Sequence, residues 1–144
     1  MKRVHIHVSV DDLDASIGFY ATLFDTPPTV TKADYAKWSL EDPRLNFAIS
    51  RRGAATGLDH VGIEVSDSAE LAKLATRLKA AGQDTFDQQA TSCCYALSNK
   101  TWVVDPSGIR WETFHTFGEA TTYGEEPALP AQATQQQSTS ACCG

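Results

Sequence analysis

Two stretches of strict alternation, 55 positions apart, organise the chain. In the first, Val4, Ile6, Val8 and Val10 share one face and His5 and His7 the other; in the second, Val61, Ile63 and Val65 oppose His60. A period of two is that of a half-buried strand, and it turns His5, His7 and His60 to the less apolar side. The same offset aligns His5 with His60, Val10 with Val65 and Asp12 with Asp67, so the repeat spans a whole supersecondary unit. A helical pattern follows each strand: Leu13, Ile17, Tyr20 and Phe24 in the first copy, Leu71, Leu74, Ala75 and Leu78 in the second. Asp67 with Glu70 reads as a capping box, Gly82 as a C-terminal stop, and Pro27-Pro28 ends the first helix. Extended segments come next, near 29–33, 35–40 and 45–50, then near 83–88, 100–104 and 109–114. The order is βαβββ, twice, which predicts an α+β fold.

Asp42-Pro43 precedes the last strand of the first unit as Asp105-Pro106-Ser107-Gly108 precedes that of the second, now at an offset of 63, so about eight residues are inserted between Gly82 and Asp105. Cys93 and Cys94 fall in that insertion, and a loop added to a scaffold is where function concentrates. The expected domain is 1–118, with modules at about 1–52 and 57–118. From 119 the composition turns to Ala, Thr, Gln, Pro and Glu without apolar period, which predicts a flexible tail, 119–144, ending in Cys142-Cys143-Gly144.

Composition narrows the function. The 144 residues carry 12 Lys plus Arg against 18 Asp plus Glu, a net charge of −6, which disfavours a nucleic-acid or anionic-membrane partner. No run of about 18 apolar residues is present and the N-terminus lacks an apolar signal core, so a cytoplasmic protein is expected. Four cysteines in two adjacent pairs are a poor disulfide framework and suit thiols for a soft ligand.

Glu112 sits in an apolar, aromatic strand, sharing a face with Arg110 and Phe114, and a carboxylate buried there needs a cation. If the units pack as related copies, His5, His60 and Glu112 converge in one cleft as two imidazoles and a carboxylate, a set that holds a divalent metal on one face and leaves positions open. The position matching Glu112 in the first unit is Ala48 or Ile49, neither of which ligates. A lone strand histidine is more often a hydrogen-bonded core residue; two at equivalent positions with a placed glutamate favour a metal. His7, on the same face, is a candidate ligand or supporting partner. His115, Glu64 and Ser9 are expected to be surface, core or solvated strand-end residues. Thiolates select Zn(II), Cu(I), Cd(II) and trivalent arsenic. Arsenic bearing one carbon substituent has two bonds left, which one dithiol saturates.

The His5 strand with Leu13 and Phe19-Tyr20, the Gly57-Leu58-Asp59-His60 strand, and Asp105 to Glu112 resemble the vicinal oxygen chelate superfamily over about residues 1–117. Ser92-Cys93-Cys94-Tyr95, the Lys100-Thr101-Trp102-Val103 run, Trp111 to His115 and the terminal Cys142-Cys143 resemble the organoarsenical carbon–arsenic lyases; the cadmium-induced proteins share the Cys-Cys loop, and His5 tilts the reading to the lyase. The resemblance implies two modules forming a curved mixed sheet around a metal cleft. It also implies a non-heme Fe(II) dioxygenase of arsenic resistance. His5, His60 and Glu112 would hold and use the iron, Cys93 and Cys94 would bind methylarsenite or a trivalent aromatic arsenical, and O2 would be cosubstrate in a monomer or homodimer. The alternatives are a non-enzymatic cadmium- or metalloid-binding protein and a glyoxalase-like thiol-dependent metalloenzyme.

Overall fold

Asp12 and Asp67 start the two helices, each carboxylate accepting a hydrogen bond from the amide three residues on, Ala15 at 2.9 Å and Glu70 at 2.8 Å. The computed structural model, which describes residues 1–124, runs in the order β1 (Arg3–Ser9), α1 (Leu13–Leu23), β2 (Val30–Lys32), β3 (Tyr35–Glu41), β4 (Arg44–Ser50), β5 (Gly57–Glu64), α2 (Ser68–Ala80), β6 (Phe86–Cys93), β7 (Ala96–Val104) and β8 (Arg110–Glu119). This is the predicted βαβββ repeat. The first helix stops earlier than Pro27 requires, because Asp25 adopts a left-handed backbone at φ +52°. The Glu70 side chain reaches back past the Asp67 cap and accepts a hydrogen bond from the Ser66 amide.

One mixed sheet holds all eight strands in the order β2-β3-β4-β1-β5-β8-β7-β6. The repeat units meet at its centre, where β1 and β5 pair antiparallel and each pairs in parallel with the last strand of its own unit. Register makes the equivalence explicit: His7 faces Ala48 as Gly62 faces Glu112. Ala48 is therefore the counterpart of Glu112, as expected, and it is fully buried. Gly62 is needed at its position, since a Cβ there would lie 2.1 Å from the Glu112 carbonyl oxygen.

Both helices pack on one side of the sheet, α1 over β3 and β4, α2 over β7 and β8. Leu13, Ile17, Tyr20 and Phe24 meet Trp38, Phe47 and Ile49 in the main apolar core. The opposite side curls around the histidines. Tyr35 of β3 and Tyr95 beyond β6 belong to opposite wings of the sheet, yet their ring centroids are 5.8 Å apart. The histidine face of β1 is less apolar, as expected, but it is the better buried face: His5, His7 and Ser9 are buried while Val4 is 52% exposed. A curled sheet encloses its concave side more fully than two short helices cover the convex one.

The insertion lengthens a hairpin. β6 and β7 have 8 and 9 residues against 3 and 7 in β2 and β3, and Cys93 pairs with Ala96 around a two-residue turn, Cys94-Tyr95. Both turn residues have positive φ, 53° and 60°, the geometry of a type I′ hairpin usually given to Asn-Gly. Residues 119–124 pack against this hairpin: the Ala120 amide donates to the Tyr95 carbonyl, Tyr123 is 5% exposed, and Gly124 bridges to Cys93. Cys142 and Cys143 lie outside the described residues.

Candidate functional site

His5 and His60 come from the two central strands and Glu112 from β8, and their side chains converge as the sequence repeat predicts. His5 Nε2 and His60 Nε2 are 3.2 Å apart, and Glu112 Oε2 lies 3.6 Å from the first and 3.4 Å from the second. All three residues are buried.

The surroundings fix which atoms face inward. The Asn46 amide nitrogen donates to Glu64 Oε2 at 3.1 Å, so its oxygen faces His5. His5 Nδ1 therefore donates, to the Asn46 carbonyl at 3.0 Å and to Oδ1 at 3.2 Å, and its Nε2 is left as a bare lone pair. His60 Nδ1 donates to Asp59 Oδ1 at 2.6 Å, and Asp59 is held in turn by Arg110 at 2.6 Å and by the Ser9 hydroxyl at 3.5 Å. Glu64 and Ser9 are thus orienting groups instead of solvated strand ends. Three lone pairs, two imidazole and one carboxylate, now point at one spot with no donor among them. Only a cation satisfies all three, a proton or a metal ion.

The pattern fits a metal. Ligands on one face of an octahedral ion, with bonds of about 2.1 Å, stand about 3 Å apart, close to the 3.2–3.6 Å found. Donation from each Nδ1 to a carbonyl or carboxylate is the usual support of a metal-binding histidine. Burial lowers the His5 pKa to about 4, leaving its lone pair available at neutral pH. At His60 burial also opposes charge, but Asp59 and Glu112 outweigh it and raise the pKa to about 9. A metal must therefore displace a proton there.

His7 forms a second, looser grouping with His5 and His60, one nitrogen of each within 4.8 Å. Its Nε2 is engaged with Ser50 Oγ at 2.9 Å, while its buried Nδ1 finds no hydrogen-bond partner among the described residues. The tighter set including Glu112 matches one coordination face better, with His7 next to it.

Sequence reasoning missed Lys100. Its ammonium is buried, 4% exposed, and bonds to Glu112 Oε1, the oxygen turned away from the histidines. Burial raises the Glu112 carboxyl pKa, but Lys100 and then His60 hold it well below the usual range. Alternation from Ser98 through Lys100 to Trp102 on β7 was the available signal.

Cys93 and Cys94 share a cavity of about 30 Å³ with His5, Lys100, Glu112 and Phe114. Their sulfurs are 3.3 Å apart, beyond a disulfide and within hydrogen-bond reach. Two thiolate bonds of about 2.3 Å, the length found to zinc, meeting near a right angle at one atom would span about the same distance. The bond to Cys93 first, and then burial, push the Cys94 thiol pKa well up, so at neutral pH the pair holds at least one proton. Tyr35, Tyr95 and Tyr123 surround the turn with centroids 5.8–5.9 Å apart, and the Tyr95 hydroxyl donates to Asp34 at 2.6 Å, tying the hairpin tip to the first unit. His115 lies on the opposite side, near Ser68 of α2 at 3.3 Å. No helix among the described residues is long and apolar enough to cross a membrane.

Comparison with known proteins identifies the family and the fold. Residues 2–113 match the Glyoxalase/Bleomycin resistance protein/Dioxygenase superfamily. A trivalent organoarsenical cleaving enzyme of Thermomonospora curvata is 42% identical over 124 residues, 85% of this chain and 82% of that protein. One from Bacillus sp. strain MD1 is 41% identical, covering 81% and 74%. The cadmium-induced protein CadI of Mycobacterium tuberculosis is 35% identical over 99% of this chain and 93% of its own. Among solved structures, homoprotocatechuate 2,3-dioxygenase of Arthrobacter globiformis superposes with a TM-score of 0.63 at 17% identity, over 85% of this chain and 38% of the enzyme, a likeness of fold. The chain is a member of the glyoxalase, bleomycin resistance and dioxygenase superfamily, with the trivalent organoarsenical cleaving enzymes and the cadmium-induced proteins among its relatives.

Proposed function

We propose that the protein is an Fe(II)-dependent dioxygenase that captures a trivalent organoarsenical on Cys93 and Cys94 and cleaves its carbon–arsenic bond to release arsenite, a detoxifying activity in the cytoplasm. The observation that carries this reading is the convergence of three inward lone pairs, from His5, His60 and Glu112, at the edge of a cavity that His5 and Glu112 line together with the two thiols. Two histidines and one carboxylate on a single face suit non-heme Fe(II) with positions left open. The names of the relatives supply the substrate class.

His5, His60 and Glu112 would hold the iron, and bound Fe(II) would supply oxygen activation. The remaining steps belong to the chain. Cys93 and Cys94 exchange their thiol protons for two arsenic–sulfur bonds, releasing two waters from CH3As(OH)2 and leaving arsenic trivalent. The buried walls then exclude water and hold the methyl group toward the metal face, an orientation effect worth up to roughly 7–11 kcal/mol in favourable cases. Lys100 presents the nearest fixed positive charge and fixes one carboxylate oxygen of Glu112. For the methyl substrate the balance closes on its own: CH3As(OH)2 and O2 give As(OH)3 and formaldehyde, with four electrons passing from carbon to oxygen. An aryl group replaced by hydroxyl would need two further electrons from an added reductant.

The test is separate titration of Cys93→Ser and Cys94→Ser with Fe(II) and with methylarsenite. The reading predicts normal iron binding and lost capture; parallel loss of both would make the cysteines metal ligands or structural thiols. A sequestering protein of the cadmium-induced type would bind through the same thiols with no oxygen uptake. A glyoxalase-like site drawing further ligands from the first unit is disfavoured by the buried Ala48.

A further inference from the structure

The cavity shared by the thiols and the candidate metal face is small, about 30 Å³, yet a second cavity of about 440 Å³ opens directly outside it. Cys94, Lys37, Ala96 and Thr116 line both, whereas Cys93 lines only the inner one. The outer space is far larger than methylarsenite needs and falls in the range of a ligand-binding cleft. Lys32 and Lys37 contribute two cations to its wall against one carboxylate, Glu119. Neither lysine forms an ion pair among the described residues, and the Lys32 ammonium stands 5.4 Å from the centre of the Tyr95 ring. In a protein of net charge −6, a cationic chamber at the mouth of a dithiol is a local feature with its own ligand preference.

Soft trivalent arsenic exchanges oxygen ligands for thiolates wherever small thiols are abundant. We propose that the outer cavity is a binding site for a thiol carrier bearing free carboxylates, from which the arsenical is handed first to Cys94 and then to Cys93. The inference rests on the dithiol reading above and adds to it the form in which the substrate arrives. For methylarsenic carried by two carrier thiols, CH3As(SR)2, the Cys94 thiol forms one arsenic–sulfur bond and one carrier leaves as RSH with the displaced proton. The Cys93 thiol then repeats the exchange and releases the second carrier. Arsenic stays trivalent and no electrons move. The order follows from access: Cys94 borders both chambers, and Cys93 is 4% exposed behind it.

The test uses the full chain with Cys142→Ser and Cys143→Ser, so that only the hairpin thiols react. Rapid-quench mass spectrometry follows transfer of methylarsenic from its bis-glutathione conjugate and from the conjugate of glutathione diethyl ester, which keeps the same thiol and peptide chain and masks both carboxylates. At low salt the parent should take arsenic from the free-acid carrier roughly tenfold faster. That ratio should fall toward one at about 1 M salt and in the K32E/K37E variant, because the preference is electrostatic. In this background Cys93→Ser should accumulate an adduct that still carries one glutathione, and Cys94→Ser should not. A ratio of one in the parent, a ratio unchanged in K32E/K37E, or equal mixed adduct in both serine variants would overturn the carrier site. Failure of the parent to take up free methylarsenite would instead remove the dithiol reading itself.

Discussion

Replacing Lys100 by methionine keeps the length and apolar stem of the side chain and deletes the one ammonium bonded to Glu112. Both partners are buried, 4% and 3% exposed, so water cannot take over the lost contact. Removing one member of a buried pair costs about 3–5 kcal/mol when the remaining charge is left uncompensated. Because protonated His60 at 3.4 Å still offsets part of the Glu112 charge, the lower end, about 3 kcal/mol, is expected. Unit charges about 4 Å apart at an effective dielectric near 20 give a similar figure, about 4 kcal/mol. Against the 5–15 kcal/mol of an ordinary domain this is a fifth or more of the stability of the metal-free protein, or about 10–20 °C in Tm. A divalent ion against Glu112 Oε2 would restore a cation, so Fe(II) or Co(II) should stabilise Lys100→Met by more than it stabilises wild type.

The acid limb carries a sign as well. Glu112 is held below its ordinary value of 4.5 in wild type, so its contribution is present above that pH and lost as pH falls through the lower folded value. In the variant, burial without Lys100 drives that pKa upward, so the difference between the proteins should shrink on acidification below about pH 5. Anaerobic thermal unfolding with and without metal, at pH 7 and pH 4.5, reads all of this. A metal-free variant within 1 kcal/mol of wild type, or equal metal stabilisation of both, would refute the placement of Lys100 as the counter-charge of the site.

Other consequences are simpler to test. His5→Ala, His60→Ala and Glu112→Ala should each lower Fe(II) affinity by at least tenfold in anaerobic titration, while His7→Ala, whose Nε2 is engaged with Ser50, should cost less; equal loss would bring His7 into the coordination sphere. Because His60 holds its proton up to about pH 9, apparent metal affinity should rise about tenfold per pH unit between pH 6.5 and 8.5 and level off above 9. Asp59→Asn should flatten that slope by removing the carboxylate that favours the protonated ring; metal titration against pH measures both. Truncation after Gly118 removes the buried Tyr123 and the Gly124 bridge to Cys93, so methylarsenite capture should weaken several-fold and Tm should fall by several degrees, whereas truncation after Gly124 should leave both near wild type.

The repeat was legible because a strand shows its period in sequence and because His5 and His60 occupy equivalent places in it. Ala48 could be named as the vacant counterpart of Glu112 for the same reason. Three features were not legible, because each depends on how the strands are assembled. Alternation told which side the histidines share, but the depth of the concave side decides that this is the buried side. Lys100 reaches Glu112 diagonally across the β7–β8 pair, where Trp102 is the residue directly opposite, and that register emerges only when the hairpin is built. Residues 119–124 look like the tail in composition, yet Tyr123 finds a place between Tyr35, Tyr95 and Cys93 that no local pattern announces. Asp59, adjacent to His60 in sequence, was visible and gains its meaning from the Nδ1 contact.

Oxygen-dependent release of arsenite is the most direct measure of the proposed chemistry. Protein loaded with one Fe(II) per chain under anaerobic conditions, given methylarsenite and then a known amount of O2, should release arsenite and formaldehyde in equal amounts, one of each per O2 consumed, and neither before oxygen is added. Arsenite formed without oxygen or without iron, or tight methylarsenite binding with no oxygen uptake in the iron-loaded protein, would contradict it.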